Sequence, residues 1–273
     1  MYIKLSENDR IYLFNNLKKK INSSWKSLYS NLDVSKAMFF NYLSGKYPLP
    51  EKLFIKLKKI SGINLENYEK INIEKFLEKK VRKPRISPAM AEIIGILNGD
   101  GHVNKINYPI CVIGNLLEKD YFYYMRKLFE NTLKLKFSLR EEKDKLRLLA
   151  YSKNMVNILE EDYSIPIGKK LGKLRIHPSF FKSKTLLASY LRGVYDTDGT
   201  IYIRRKKEPV LEIASADPVF LKDLQKAFKK FDLNAGISSQ NLYLYKKEEI
   251  KKFFKIVKPA NSKHLKRYKM YLK

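Results

Sequence analysis

Two aspartates close matching runs in this chain. Asp100 ends the run Ile93-Ile94-Gly95-Ile96-Leu97-Asn98-Gly99-Asp100-Gly101, and Asp198 ends Leu191-Arg192-Gly193-Val194-Tyr195-Asp196-Thr197-Asp198-Gly199. Paired carboxylates hold hard divalent cations, which activate water for hydrolysis. Each run carries small residues four apart, Gly95 with Gly99 and Gly193 with Thr197, and that spacing puts them on one face of a helix. Glycine inside a helix costs about 1 kcal/mol against alanine; close approach of two backbones is the physical reason to keep it. If the two helices pack through these faces, Asp100 and Asp198 meet at adjacent C-terminal ends. That placement is unfavourable alone, because a helix C-terminus repels a carboxylate by about 0.3–1 kcal/mol and neighbouring carboxylates resist joint ionisation. A divalent cation relieves both penalties. Asp-Gly turns also stop ordinary helices, and either run alone fits a plain cap. The matched pair points to a metal site at a helix–helix seam.

The two runs resemble the LAGLIDADG motifs of homing endonucleases, in the single-chain form with two motifs per polypeptide. The final Asp-Gly of each motif is intact (Asp100-Gly101, Asp198-Gly199), whereas Asn98 stands at the first acidic position of run one and Arg192 at the small second position of run two. The resemblance covers roughly residues 86–273 and leaves residues 1–85 outside it.

Composition agrees with a polyanionic partner. Lys+Arg 56 against Asp+Glu 28 gives a formal charge of +28 in 273 residues, which suits nucleic acid better than a small acidic substrate. The basic residues are spread along the chain and not gathered on one amphipathic helix, which argues against a membrane surface. No apolar run approaches the ~20 residues of a spanning helix, and the N-terminus lacks the apolar core of a signal peptide. The single cysteine, Cys111, permits no internal disulfide and suggests a reducing compartment. His102, His177 and His264 are too scattered for the usual zinc spacings.

Residues 6–85 read as helical. Ile11, Leu13, Phe14, Leu17 and Ile21 recur at helical spacing after Ser6-Glu7. Ser24 precedes a short helix over 25–31, Asp33-Val34 make a turn, and Ser35 and Gly45 bound a second helix. Two short helices across a tight turn resemble a helix-turn-helix domain of the phage-repressor type. In that resemblance helix 35–45 enters the major groove, with Ser35, Lys36, Asn41, Tyr42 and Lys46 facing bases or phosphates. A small all-α bundle acting as a spacer or partner dock has the same pattern. Residues 79–88 are basic and punctuated by Pro84 and Pro88, a linker suited to tracking phosphates.

From residue 88 the expected order is helix 88–100, strands 101–106 and 109–115, helix 118–132, strands 135–141 and 145–151, and helix 153–162. The order then repeats as helix 184–198, strands 199–206 and 209–215, helix 217–230, short strands within 235–245, and helix 247–257. This is a duplicated αββαββα unit. Alternation places Ile201 and Ile203 on one face of the strand after run two, with Thr200, Tyr202 and Arg204 on the other and Arg205 and Lys206 following. After run one, Val103 points inward and His102 and Asn104 outward. An antiparallel sheet with one apolar face covered by helices can offer such a polar, basic face to the DNA major groove.

A second repeat lies outside the aspartate runs. Pro166, Lys170 and Lys173 are followed at one constant interval by Pro259, Lys263 and Lys266. The family resemblance implies a lysine beside the metals in each half, and carries that role to Lys170 and Lys263, with Lys173 and Lys266 as second choices. Asn115 or Ser215, at strand ends, is a candidate for positioning water. Hydrolysis of a phosphodiester needs activated water and neutralised charge, which Mg2+ provides, with Mn2+ able to substitute. Asp100 and Asp198 would share the ions, helped by the carbonyls of Gly99 and Thr197, while Lys170 and Lys263 polarise water or offset phosphate charge.

These readings converge on an α+β, pseudo-two-fold, homing-endonuclease-like fold with an N-terminal all-α helix-turn-helix domain. The expected segments are 1–78 helical, 79–88 linker, 89–182 first half and 183–273 second half. The expected activity is sequence-specific, Mg2+-dependent cleavage of both DNA strands at a long non-palindromic site. The expected protein is a cytoplasmic, nucleoid-associated monomer with double-stranded DNA as partner, no small-molecule substrate and no membrane. An intein is not expected, since Met1 is no splicing nucleophile and the chain ends Tyr271-Leu272-Lys273. Two rival readings share the same fold: a DNA-binding regulator that does not cleave, and an RNA-splicing maturase.

Overall fold

The computed structural model describes residues 1–22, 24–71, 81–205 and 208–271. Lys206 of the expected DNA face and residues 79–80 of the expected linker lie outside them. The chain divides into two compact units, Met1–Leu77 and Glu78–Lys273.

The first unit is mainly helical. Helix α1 (Glu7–Ile21) starts where the Ser6 side chain accepts from the Asp9 amide, and α2 (Trp25–Asn31) and α3 (Lys36–Leu43) start at Ser24 and Ser35 in the same way. Such caps satisfy backbone donors that a helix start leaves open. Asp33 turns the chain between α2 and α3 at φ +54°. The core gathers Leu13, Phe14 and Leu17 of α1, Phe39 of α3, and Leu53, Phe54 and Leu57 of α4 (Glu51–Ser61). The all-α expectation for this unit needs correction. Strands β1 (Tyr2–Lys4), β2 (Leu49–Pro50) and β3 (Glu69–Ile71) form an antiparallel sheet in the order β2-β1-β3. Two or three residues cannot display a period-two pattern, and the partners are distant in sequence, so local periodicity carries no trace of them.

The second unit is built from two similar halves. In the first, α5 (Pro88–Asn98) leads into β4 (Gly101–Val103), β5 (Pro109–Asn115), α6 (Lys119–Leu133), β6 (Ser138–Glu142), β7 (Lys145–Tyr151) and α7 (Lys153–Tyr163). The second half runs α8 (Lys184–Asp198), β8 (Gly199–Arg204), β9 (Glu208–Ala214), α9 (Pro218–Lys229), β10 (Gly236–Ser238), β11 (Asn241–Leu244) and α10 (Lys247–Val257). The sheets have matching orders, β4-β5-β7-β6 and β8-β9-β11-β10. One helix exceeds the sequence reading: α11 (Ser262–Tyr271) follows the helix expected over 247–257, where no further element was assigned.

Helices α5 and α8 cross at their glycines. A Cβ added to Gly95 would lie 2.2 Å from the Tyr190 carbonyl oxygen, and one added to Gly193 would lie 2.2 Å from that of Glu92. Backbone therefore packs on backbone, which is why glycine survives mid-helix despite its propensity cost. Arg192, the bulky departure from the motif, bridges the two helices beside this crossing. Its guanidinium donates to Glu92 Oε2 (3.0 Å) and to the Val257 carbonyl (2.8 Å), and Tyr124 donates to Glu92 Oε1 (2.6 Å). Glu92 is thus a buried carboxylate with a charged partner and a hydroxyl donor, the condition under which burial of charge is tolerated.

Candidate active site

The seam delivers its two acids to one place. Helix α5 stops at Asn98 and α8 at Asp198, with the Gly99 amide donating to the Gly95 carbonyl and the Gly199 amide to that of Tyr195. A Cβ on Gly99 would lie 2.0 Å from Thr197 Oγ1 and 3.0 Å from Asp198 Oδ2, so the Asp198 carboxylate reaches the end of the opposing helix. Burial, and then Asp100 beside it, push the Asp198 carboxyl up to about 7, against the pull of Lys170 and Lys263. Asp100 keeps one side open to solvent. Partial burial, and then Glu118, raise its carboxyl from the usual range, again against Lys170 and Lys263. Two carboxylates that hinder each other's ionisation, with two ammonium groups acting on both, form an acidic centre short of positive charge.

The lysines arrive by different routes. Lys170 sits in a loop with Gly168 and Gly172 at φ +73° and +77°. The Gly168 amide donates to the Val103 carbonyl (2.9 Å) and the Leu174 amide to Asp217 (3.1 Å), which fixes the loop at both ends. The Lys170 ammonium donates to the carbonyls of Asn98 (3.2 Å) and Gly99 (2.5 Å). Burial pulls its pKa down, while Asp198 and Asp100 hold it up. Lys263 lies in the first turn of α11 and donates to Glu118 Oε1 (2.8 Å). The loop before it is latched by Asp196, whose buried carboxylate accepts from the Ala260 (2.8 Å) and Asn261 (3.2 Å) amides. Asn261 donates onward to Glu118 (2.7 Å). A cavity of about 440 Å³ opens over Asp198 and Lys170, with Asn98, Gly99, Ser215 and Gln240 in its wall.

Several expected site residues serve the fold instead. Tyr42 is buried in the first unit, 7 % exposed, so its expected role on DNA is corrected: it points inward from α3, as its spacing of three from Phe39 requires. The Ser35 hydroxyl is used as the α3 cap and Asn41 is half-buried, while Lys36 and Lys46 are exposed. Asn115 and Ser215 accept from the amides of Leu117 (2.9 Å) and Asp217 (3.2 Å) in local caps. The Gly99 carbonyl, expected at the metal, accepts from Lys170. The Thr197 hydroxyl bonds back to Gly193 and Val194, while the group expected at the metal is its backbone carbonyl. Lys173 and Lys266 are exposed.

On the sheet faces, His102 is exposed and Asn104 half-buried, its Oδ1 accepting from the Ile106 amide (2.9 Å). Thr200 accepts from Arg267 (2.9 Å), Arg204 lies over the Tyr245 ring at 5.5 Å, and Arg205 is exposed. Tyr202 is half-buried there; burial and Glu212 push its hydroxyl up to about 12. Glu118, Asn261, Asp196 and Arg267 were not singled out from the sequence. Glu118 had a local signal: Asn115 and Glu118 form a capping box, the Asn-x-x-Glu spacing of a helix start.

With this geometry in place, comparison with known proteins identifies the second half. Residues 185–258 match the profile of the family described as "LAGLIDADG-like domain". The chain carries a LAGLIDADG-like domain. The match runs from α8 through α10. Among curated relatives, elongation factor 2 of Methanopyrus kandleri is 23% identical over 257 residues, covering 90% of this chain and 19% of its own length. Glutamine--fructose-6-phosphate aminotransferase of Methanocaldococcus jannaschii is 27% identical over 191 residues, covering 67% and 16%. This chain thus spans less than a fifth of the length of either. A probable cell division protein WhiA of Lactococcus lactis is 35% identical over 85 residues, 29% of this chain and 28% of that protein. Similar solved structures include the N-terminal LAGLIDADG domain of DUF199/WhiA (TM-score 0.47, 18% identity, 67% of this chain and 89% of that one). The homing endonuclease I-DmoI in complex with DNA and Ca is another (TM-score 0.46, 15% identity, 64% and 92%). No described helix is long and apolar enough to cross a membrane.

Proposed function

We propose that this protein binds double-stranded DNA and hydrolyses one phosphodiester in each strand, at a long site without palindromic symmetry. The observation that carries the reading is the meeting of Asp100 and Asp198 at adjacent helix ends, each under the influence of both Lys170 and Lys263. Among the described residues no three His, Cys, Asp or Glu side chains gather round one point. The donor set is therefore two carboxylates and backbone carbonyls, all hard oxygens, which suits Mg2+ that keeps several of its waters. Their raised carboxyl pKa values are the mark of charge that a cation would relieve. Asp100 and Asp198 would hold the ion, with the Thr197 carbonyl at hand; bound there, it would supply charge neutralisation and an acidified water. Lys170 and Lys263 place ammonium groups where negative charge grows on phosphate. Thr200, Tyr202, Arg204, Arg205 and Arg267 supply a polar face for the duplex, and Lys36 and Lys46 offer phosphate contacts from the first unit. Because the halves differ in sequence, the two half-sites they read differ too.

Elongation factor 2 and the aminotransferase have unrelated named activities, and each shares less than a fifth of its length with this chain. The shared stretch is a portable module, and neither activity passes to it. The likeness to WhiA, named a probable cell division protein and not a nuclease, favours a second reading in which the module binds DNA without cutting. A plasmid library carrying randomised sites, incubated with the full chain and Mg2+ or Mn2+, tests both. Linearised plasmid that disappears with Asp198→Asn supports cleavage. Retention of duplex DNA at moderate salt with no cut product in either metal supports the second reading.

A further inference from the structure

The first unit contains a cavity that the nuclease reading does not use. It has a volume of about 620 Å³ and lies between β1, Arg10 of α1, the inner side of α3 and the turn at residues 45–49. Its wall is largely carbon: Ile3, Leu5, Met38, Pro48, Leu49 and Ile71, with the rings of Tyr2, Tyr42 and Tyr47. The charged residues in that wall are Lys4, Arg10 and Lys46. All three are cations. Both the size and the wall are those of a small-molecule site, where mostly apolar lining is combined with a few polar anchors.

Arg10 is the anchor. Its side chain is 19% exposed, and the carboxylate paired with it, Glu7, stands off at 3.9 Å. The Nε donor is buried and makes no hydrogen bond. A guanidinium offers five donors in a fork shaped for a carboxylate, and a buried donor left unmatched costs about 1–3 kcal/mol. The backbone makes room for it: a Cβ on Gly45 would lie 1.6 Å from Arg10 Nη1, and Gly45 has φ +76°. Glycine is thus required twice at this position, for its backbone conformation and for the space Arg10 fills.

We infer that this cavity binds a small organic carboxylate with an aromatic or branched apolar body, its acid on Arg10 and its body against Met38, Tyr42 and Leu49. A bare phosphate would leave the carbon wall unused, and a neutral apolar molecule would leave Arg10 unmatched. Met38 and Tyr42 belong to α3, whose outer side carries Lys36 and Phe40, so an occupant braces that helix from within. The inference is independent of whether the second unit cuts DNA.

The full-length chain is titrated with 1-anilinonaphthalene-8-sulfonate, an aromatic sulfonate whose fluorescence rises in apolar sites, and the probe is displaced with phenylacetate, phenylacetamide or inorganic phosphate. Phenylacetate is expected to displace the probe at a concentration at least about tenfold below the amide or phosphate, the range a charge-assisted hydrogen bond supplies. Arg10→Met should weaken phenylacetate about tenfold and make acid and amide equal, and Arg10→Lys should restore part of the preference. Gly45→Val, which drives Arg10 out of place, should abolish the preference while circular dichroism reports an unchanged helix content. Equal displacement by acid and amide, displacement by phosphate as strong as by the acid, or an Arg10→Met variant indistinguishable from the parent would each overturn the inference. So would the absence of any probe signal that Gly45→Val removes, since the cavity is then filled by the chain's own side chains.

Discussion

The two motif ends share their last aspartate and differ before it, which shows what each position does. Half two ends Asp196-Thr197-Asp198 and half one ends Asn98-Gly99-Asp100. Asp196 is buried and turned away from the acidic centre; burial pushes its carboxyl up to about 7, against the two amide donors of the loop it latches. Asn98 occupies the matching place, and its amide donates to Tyr190 Oη (2.8 Å) and the Arg175 carbonyl (3.3 Å). The inner position thus ties down the chain that delivers a lysine, and an amide or a carboxylate can do so. Only the outer position contributes charge to the centre. The departure at Asn98 leaves the Asp100–Asp198 pair intact.

The lysines extend the comparison. Lys170 donates to two backbone carbonyls, and its charge acts on Asp198 and Asp100. Lys263 shares its charge with Glu118, which burial raises but Lys263 and Asn261 bring below the usual carboxylate range overall. The two halves therefore offer unequal chemistry on one shared pair of acids.

The largest test removes the shared element. Asp100→Asn and Asp198→Asn should each lower double-strand cleavage about 10³-fold, matching the several kcal/mol that a catalytic metal supplies, with duplex affinity by gel shift equal or higher. If either variant cuts as well as the parent, the acids are not shared. Next, Lys170→Met and Lys263→Met should each slow chiefly one strand, by about 10²-fold, read as accumulated nicked circle with strand-specific end labels. Both variants slowing the same strand would remove the assignment of one lysine to each half. Glu118→Gln should be milder, about tenfold on the Lys263 strand alone, because one charge-assisted hydrogen bond is lost; an equal effect on both strands would place Glu118 in the common centre.

The smallest effect is on stability. The folded protein holds the Asp198 and Asp196 protons up to about pH 7, whereas the unfolded chain releases such protons near pH 4. Between those values the folded state binds more protons, so these two groups make stability fall as pH rises from about 4 to 7. Asp198→Asn should flatten that fall by a few degrees in Tm against the parent. Millimolar Mg2+ should raise the parent's Tm more at pH 8 than at pH 5, and the variant's at neither. A parent whose Tm responds to Mg2+ equally at both pH values would contradict the assignment.

Much of the second unit was legible because its signals are local. Helical periodicity marks the motif helices, strand alternation places Ile201 inside, and the duplication supports each half with the other. The first unit's sheet was not legible, because Tyr2–Lys4 finds its partners only after the chain has folded back. Tyr42 was misplaced for a related reason: an aromatic hydroxyl reads as a contact group until Phe39 shows which side of α3 is buried. At the acidic centre the aspartates and lysines stood out through repetition, while Glu118 and Asn261 stand in different halves and meet only once the chain has folded. Pairings of that kind are set by tertiary packing and leave no spacing to read.

The glycine crossing of α5 and α8 has a consequence for the products. Side chains can be exchanged without moving a backbone, but here backbone rests on backbone, so the span between the two acids is not adjustable by ordinary substitution. Changes on the sheet faces can retarget the protein to new sequences. In the cleavage reading, the stagger between the two cuts, and hence the length of the single-stranded overhang left on each end, stays constant through all such retargeting.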